Sequence, residues 1–147
     1  MVRRALVPVL GVLVLLLLPF GAAGCGSAPS TPSDYAPFSQ TDLVFGQGAS
    51  AETGKTLTVN YTGWFYDSVQ GDKKGVQFTT SALSGPAVFV AGAKAVIEGW
   101  EQGVLGMKEG GTRRLIIPPS LAYGPNRYSA IPPNATLVFD LELVKVE

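Results

Sequence analysis

The sequence predicts an α+β domain in which an antiparallel β-sheet wraps around one short α-helix. The helix is predicted over residues 96–104, since Gly92 precedes this stretch and Gly103 and Gly106 limit its length. The apolar residues that recur there at helical spacing are Val96, Ile97, Trp100 and Val104. Segments on both sides alternate apolar and polar residues with the two-residue period of a half-buried strand. A lone helix with one apolar face must be covered, and a sheet is the element available.

The strand signals begin before the helix. Residues 42–45 form a short edge strand, ended by glycine. Residues 56–66 predict a longer strand, in which Leu57, Val59 and Tyr61 alternate with polar residues, while 76–80 and 87–91 predict shorter ones. Residues 81–86 are rich in turn formers and predict a connection.

After the helix, the pattern predicts two more strands and one helical turn. Residues 112–117 form a strand that ends at a pair of prolines. Residues 120–124 predict one helical turn capped by Ser120. An irregular loop follows, and 135–147 alternate for most of their length as a long closing strand.

Composition excludes several classes of function. The formal net charge is zero and 15% of residues are charged, which argues against binding to nucleic acid. The basic pairs at 73–74 and 113–114 predict solvated surfaces. With no histidine, Ser-His-Asp and Cys-His catalysis are excluded, and no metal site or cofactor is expected. The single cysteine rules out an internal disulfide.

Residues 1–24 have the pattern of an export signal. Arg3 and Arg4 precede a nearly apolar run over residues 5–20, which is short for a bilayer span. Small residues then lead directly into Cys25, which resembles the lipobox of bacterial lipoproteins. That resemblance implies cleavage before Cys25, diacylglycerol on its thiol and a lipid anchor in a membrane of the bacterial cell envelope. The alternative is an ordinary secretory signal followed by a free thiol.

Residues 25–40 are dominated by Ser, Pro, Thr, Ala and Gly and predict an extended tether. The globular domain is predicted over residues 41–147. The protein would then face the periplasmic or extracytoplasmic side of its membrane.

Short motifs spread over the predicted domain occur together in one order. They are Val59–Gly63, Val96–Trp100, Gly106–Lys108, Leu121–Gly124 and Ile131–Asp140. The chain resembles FKBP-type peptidyl-prolyl cis-trans isomerases in these motifs. The resemblance implies a curved antiparallel sheet around a short helix, as the periodicity also predicts. It also implies binding to proline-containing polypeptides and to tacrolimus-type macrolides.

The resemblance further implies an apolar cavity with assigned positions. Trp100 would be its floor, the Ile97 backbone N–H would bind a substrate carbonyl, and Tyr123 would offer its hydroxyl. The residues predicted to carry catalysis are Tyr61, Phe78, Trp100, Tyr123 and Phe139. Those predicted to contact the substrate are Val96, Ile97, Phe89, Ile131 and Thr79.

Three departures from the family pattern leave a second function open. Thr79 stands where the family usually has Asp, and Ala87 stands where it usually has an aromatic residue. The loop before Ile131 carries Arg127, Tyr128 and Ala130 where the family often has Gly and a further aliphatic residue. Thr79 and Ala87 favour the alternative of a weakly catalytic chaperone or scaffold module that holds proline-containing segments.

Overall fold

The computed structural model describes residues 35–147, and its strands form one antiparallel sheet. The strands are β1 (Ser39–Val44), β2 (Thr56–Tyr66), β3 (Lys74–Thr80), β4 (Ala87–Val90), β5 (Thr112–Ile117) and β6 (Leu137–Val146). The helices are α1 (Ser81–Ser84) and α2 (Glu98–Val104), with a 3₁₀ turn at Pro119–Leu121. The predicted α+β fold class is confirmed.

The sheet has the order β1-β5-β6-β2-β3, and β4 pairs with β2 as well. The two longest strands lie at its centre, where Leu57–Phe65 of β2 pair with Val146–Leu137 of β6. Register shifts interrupt β2 near Val59 and near Trp64. Such irregularities bend a strand and increase its twist, which lets the sheet curve around a helix.

Helix α2 lies against β5 through two glycines that leave no room for a side chain. A Cβ atom on Gly99 would lie 2.4 Å from Ile117 Cγ2, and one on Gly103 would lie 2.4 Å from Leu115 Cδ1. The two glycines are four residues apart and therefore share one face of the helix. This close approach buries Leu115 and Ile117 completely.

The C-terminal end of α2 is held by Arg113. Its Nη1 donates to the carbonyl oxygens of Gly103 and Leu105 at 2.9 and 3.0 Å, and its guanidinium also pairs with Asp42. A cation at a helix C-terminus satisfies carbonyls that have no partner within the helix. The prediction that residues 113–114 form a solvated surface is therefore wrong, since Arg113 is only 7% exposed.

On the outer face of the sheet, Asp140 joins three strands. Its carboxylate accepts two hydrogen bonds from Arg114 at 2.7 and 2.8 Å, and Lys74 Nζ lies 2.7 Å away. Burial alone would raise the pKa of the Asp140 carboxyl, but the hydrogen bonds and charges of Arg114 and Lys74 bring that pKa below its ordinary value. Asp140 therefore stabilises the fold in its ionised form.

We expect Asp140→Asn to lower the free energy of unfolding by about 1.5–3 kcal/mol at neutral pH, the range for hydrogen bonds to charged groups. A carboxyl with a lowered pKa stabilises the folded state above its unfolded pKa of about 3.9. That stabilisation is lost as pH falls through the folded pKa. Urea unfolding between pH 7 and pH 2 should show this acid-dependent loss in the wild type and a smaller loss in Asp140→Asn. Equal pH dependence in both proteins would contradict the assignment.

Local differences from the sequence expectation have physical causes. Helix α2 begins at Glu98, because Ile97 has extended dihedral angles (φ −59°, ψ 149°). Residues 81–84 form a one-turn helix instead of a plain turn, with Thr80 as its cap. The turn after β5 begins at Pro119 and has no side-chain cap, so the predicted capping by Ser120 is wrong. Proline suits this first position because its φ is already helical.

The predicted export signal, Cys25 and most of the tether lie outside the described residues. Among residues 35–147, the structure contains no helix that is both long and apolar enough to cross a membrane.

Candidate active site

An open cavity of about 610 Å³ lies over the N-terminal end of α2. Its lining is mostly aromatic and aliphatic. The lining residues are Tyr61, Phe78, Thr79, Ala87, Ala95, Val96, Ile97, Trp100, Tyr123, Tyr128, Ser129, Ala130, Ile131 and Phe139. The cavity brings together every predicted site residue of the domain except Phe89. Its volume is within the range typical of small-molecule and peptide sites.

Trp100 lies at the centre of an aromatic cluster beneath this cavity. Tyr61 and Phe139 approach its indole edge-on, each with ring centroids 5.2 Å away. Phe89 lies 6.2 Å from it in a tilted arrangement. With 6% of its surface exposed, the indole is fixed by packing and offers only a small surface to the cavity. Its Nε1–H has no hydrogen-bond partner within residues 35–147.

Phe89 does not line the cavity, so its contact with the substrate stays a prediction. It is buried at 6% exposure and packs on Trp100 from within the core. Ala87, two residues earlier on the same face of β4, lines the cavity instead. The site therefore has a methyl group where the family usually has an aromatic ring.

The loop that precedes α2, residues 91–97, forms one wall of the cavity and is held by Glu101. The Glu101 carboxylate accepts hydrogen bonds from the backbone N–H groups of Gly92 and Ala95, at 2.6 and 3.2 Å. The loop passes through left-handed dihedral angles at Lys94 (φ 57°), so it needs such an anchor. It delivers Val96 and Ile97 to the cavity, and the Ile97 N–H has no hydrogen-bond partner among residues 35–147.

On the opposite wall, Tyr123 is stacked against Tyr128. The two ring centroids are 4.4 Å apart and the planes differ by 12°. Tyr128 and Ile131 exchange backbone hydrogen bonds of 3.1 and 2.8 Å across a two-residue turn, which anchors the exposed Tyr128 to the buried Ile131. Burial raises the pKa of the Tyr123 hydroxyl above its usual value, and Tyr128 and Tyr61 raise it further. A tyrosine is already protonated at neutral pH, and the raised pKa extends the range of pH over which Tyr123 can donate.

Phe78 and Thr79 complete the wall on β3. Phe78 meets Phe139 edge-on at 5.7 Å and stacks on Phe65 at 4.9 Å. Phe139 and Thr79 can both pack against β2 here because residue 63 is a glycine. A Cβ atom on Gly63 would lie 2.6 Å from Phe139 and 2.8 Å from Thr79. The Thr79 hydroxyl has no hydrogen-bond partner in the described part of the chain, and neither has the Tyr123 hydroxyl.

The comparisons with known proteins agree with this geometry. The family described as FKBP-type peptidyl-prolyl cis-trans isomerase matches residues 47–144. The chain belongs to this family. FK506-binding protein 1 of Gibberella zeae is 43% identical over 108 residues, which cover 73% of this chain and 96% of that protein. An FK506-binding protein of Neisseria meningitidis serogroup B is 43% identical over 107 residues, which cover 71% of this chain and 92% of that protein.

Solved structures of FKBP-type proteins have the same fold. FkpA from Escherichia coli is similar with a TM-score of 0.64 and 38% identity, covering 75% of this chain and 48% of that chain. AtFKBP13 is similar with a TM-score of 0.63 and 32% identity, and the match covers 75% of this chain and 93% of the AtFKBP13 chain. This isomerase therefore spans about half the length of the FkpA chain that it matches.

Several residues that shape the site of this FKBP-type isomerase were not predicted from the sequence. Glu101 and the stacking partner Tyr128 position other residues, while Ala95 and Ser129 line the cavity. Only Glu101 left a local signal, as a carboxylate in the first turn of a helix that follows a glycine-containing loop. No group of three His, Cys, Asp or Glu side chains within residues 35–147 is arranged to hold a metal ion.

Proposed function

We propose that this isomerase binds the proline of an X-Pro segment over Trp100 and acts on exported proteins from a lipid anchor at Cys25. One observation supports the site most strongly: an aromatic and aliphatic cavity that presents the Ile97 N–H and the Tyr123 hydroxyl with no partner in the described domain. A proline ring suits the apolar floor, and the two donors suit the carbonyl groups beside it.

The chemistry needs neither a nucleophile nor a metal. Rotation about an X-Pro bond is slow because amide resonance gives a barrier of about 18–20 kcal/mol. The twisted amide has lost its charge separation and is less polar than the planar amide. A cavity walled by Phe78, Trp100 and Phe139 disfavours the planar form more than the twisted one, which lowers the barrier.

The polar groups at the cavity wall orient the substrate. The Ile97 N–H would hold one carbonyl oxygen while the proline ring is fixed against Trp100. The Tyr123 hydroxyl, which is protonated at neutral pH, would donate to a second oxygen of the bound segment. With the proline side of the X-Pro bond held in this way, the carbonyl group that precedes the proline is left to rotate about that bond.

A second candidate function is a weakly catalytic module that holds proline-containing segments. Thr79 favours it, because a neutral hydroxyl is a weaker acceptor than the usual carboxylate and here has no partner among residues 35–147. Ala87 favours it because a missing ring leaves the cavity wall less complete. We expect weaker macrolide binding than in relatives with an aromatic residue at that position.

An exchange assay on a short X-Pro peptide distinguishes the two functions. Uncatalysed relaxation takes roughly 10–100 s. The isomerase should increase the rate of this relaxation in proportion to the enzyme concentration. A tacrolimus-type macrolide should suppress that increase. The control peptide carries alanine in place of proline and should not bind. Binding to the X-Pro peptide without faster exchange would support the holding module instead, and no binding at all would contradict both.

We expect Cys25→Ser to release the protein from the membrane fraction and leave the domain folded, because the described strands and helices lie within residues 39–146. Fractionation of cells and mass spectrometry of the N-terminal peptide measure the two states. Ser27→Ala is the matched control and should keep the anchor. A wild-type protein that is wholly in the soluble fraction with an unmodified thiol would instead support an ordinary secretory signal.

A further inference from the structure

Two serines of α1 hold Tyr61 at both ends. Ser81 Oγ accepts a hydrogen bond from the Tyr61 backbone N–H at 3.0 Å. Ser84 Oγ lies 3.0 Å from the Tyr61 hydroxyl. Residues three apart share one face of a helical turn, so both serines face β2. Leu83, on the same turn, is 91% exposed.

The hydrogen bonds of Ser84 determine where the Tyr61 proton points. Ser84 Oγ lies 3.2 Å from the carbonyl oxygen of Thr80, and 3.5 Å from that of Gly85. A carbonyl oxygen can only accept, and a serine hydroxyl has one proton. The arrangement that satisfies both contacts has Ser84 donating to the Thr80 carbonyl and accepting from Tyr61. The Tyr61 proton is directed toward α1, which leaves the lone pairs of the Tyr61 oxygen for other partners.

The helical turn that carries these serines is itself fixed to the sheet. The Thr80 hydroxyl accepts from the backbone N–H of Ala82 at 3.3 Å and lies 3.2 Å from the hydroxyl of Thr62. The N–H of Gly85 closes the turn on the carbonyl of Ser81 at 2.8 Å. These contacts fix the backbone of α1, so the Ser84 side chain is in a defined position for its hydrogen bond with Tyr61.

We propose that Ser84 is a positioning residue that fixes the ring and the hydroxyl proton of Tyr61 at the wall of the proline cavity. The proposal rests on the proposed function, in which Tyr61 contacts the bound X-Pro segment. With its proton committed to Ser84, Tyr61 meets that segment as a hydrogen-bond acceptor. The edge-on contact of Tyr61 with Trp100 is kept in place by the same bond.

A double-mutant cycle tests the proposal with the full-length chain. The variants are Ser84→Ala, Tyr61→Phe and the two together, with Ser84→Thr to restore the hydroxyl and Leu83→Ala as an exposed control on the same turn. Each is measured for kcat, KM, affinity for an X-Pro peptide and melting temperature. We expect Ser84→Ala and Tyr61→Phe each to lower kcat about five-fold, the effect of one ordinary hydrogen bond, with KM within two-fold.

The cycle separates a positioning role from a structural one. The double variant should be no slower than Tyr61→Phe alone, because Ser84 acts only through the hydroxyl that this variant lacks. Ser84→Thr should recover activity, and Leu83→Ala should match the wild type. Independent, multiplicative losses, or an unaffected Ser84→Ala, would overturn the proposal. If the wild type shows no isomerase activity, the proposed function fails, and the same cycle in peptide affinity still decides whether Ser84 acts through Tyr61.

Discussion

Replacing Gly103 with alanine is expected to lower the free energy of unfolding by about 2 kcal/mol and to reduce isomerase activity with it. The new Cβ would lie 2.4 and 2.6 Å from the two methyl carbons of Leu115, a side chain with no exposed surface. Overpacking typically costs 1–3 kcal/mol, and contacts this short should cost about 3 kcal/mol. The better helix propensity of alanine, about 1 kcal/mol, offsets only part of that cost. Because α2 carries Trp100, displacing the helix also displaces the cavity floor.

The chain offers a matched control at Gly71. A Cβ there has nothing within 4 Å, and its backbone is outside the left-handed region. Gly71→Ala should therefore change stability by less than about 0.5 kcal/mol, as surface substitutions usually do. Denaturant unfolding measures both variants. Equal stability of Gly103→Ala and the wild type would show that α2 does not lie on β5 as closely as described.

Trp100→Leu is expected to weaken binding of an X-Pro peptide by at least about thirty-fold, or about 2 kcal/mol, and to reduce kcat/KM at least as much. Leucine removes the ring that Tyr61 and Phe139 approach edge-on, so the floor and two walls are lost together. Leucine is used because Trp100→Ala would also cost roughly 3–5 kcal/mol of stability. Calorimetry and the exchange assay give the two quantities.

Trp100→Phe is the control for this change. It keeps an aromatic floor and removes the Nε1–H, which has no hydrogen-bond partner within the described domain. It should retain most of the binding that Trp100→Leu loses. A folded Trp100→Leu protein with unchanged peptide affinity would place the proline site elsewhere.

Much of the fold was predictable because its strands are half-buried. In the first part of β2, buried and partly exposed side chains alternate, so apolar periodicity located this strand. The proline pair that follows residue 117 marked the end of β5, and both strands have the predicted bounds. Arg113 shows the limit of such patterns. A pair of arginines in a strand has the same local signal whether it meets water or the C-terminal carbonyls of a helix, and only the packing of α2 on β5 decides between them.

The candidate site was predictable where side chains come from regular elements or from family motifs, as at Tyr61, Trp100 and Phe139. It was not predictable where long-range contacts decide. Phe89 and Ala87 share one face of β4, and only the position of that strand relative to Trp100 places the alanine at the cavity and the phenylalanine beneath it. The serines of α1 contact Tyr61 of β2, which lies 20 and 23 residues earlier in the chain, and no local sequence pattern predicts a contact over that separation.

Titration of the protein with a proline-containing peptide, followed by NMR of its indole and backbone N–H groups, tests the central claim most directly. The chain has 2 tryptophans, and Trp64 is not among the residues that line the cavity. Lys74 Nζ lies 4.0 Å from the centroid of the Trp64 ring. The Trp64 indole therefore serves as an internal reference. If the proline sits over Trp100, the Trp100 indole N–H and the Ile97 amide should shift together with one dissociation constant, while the Trp64 indole stays in place. Shifts at Trp64 with none at Trp100 and Ile97 would contradict the account.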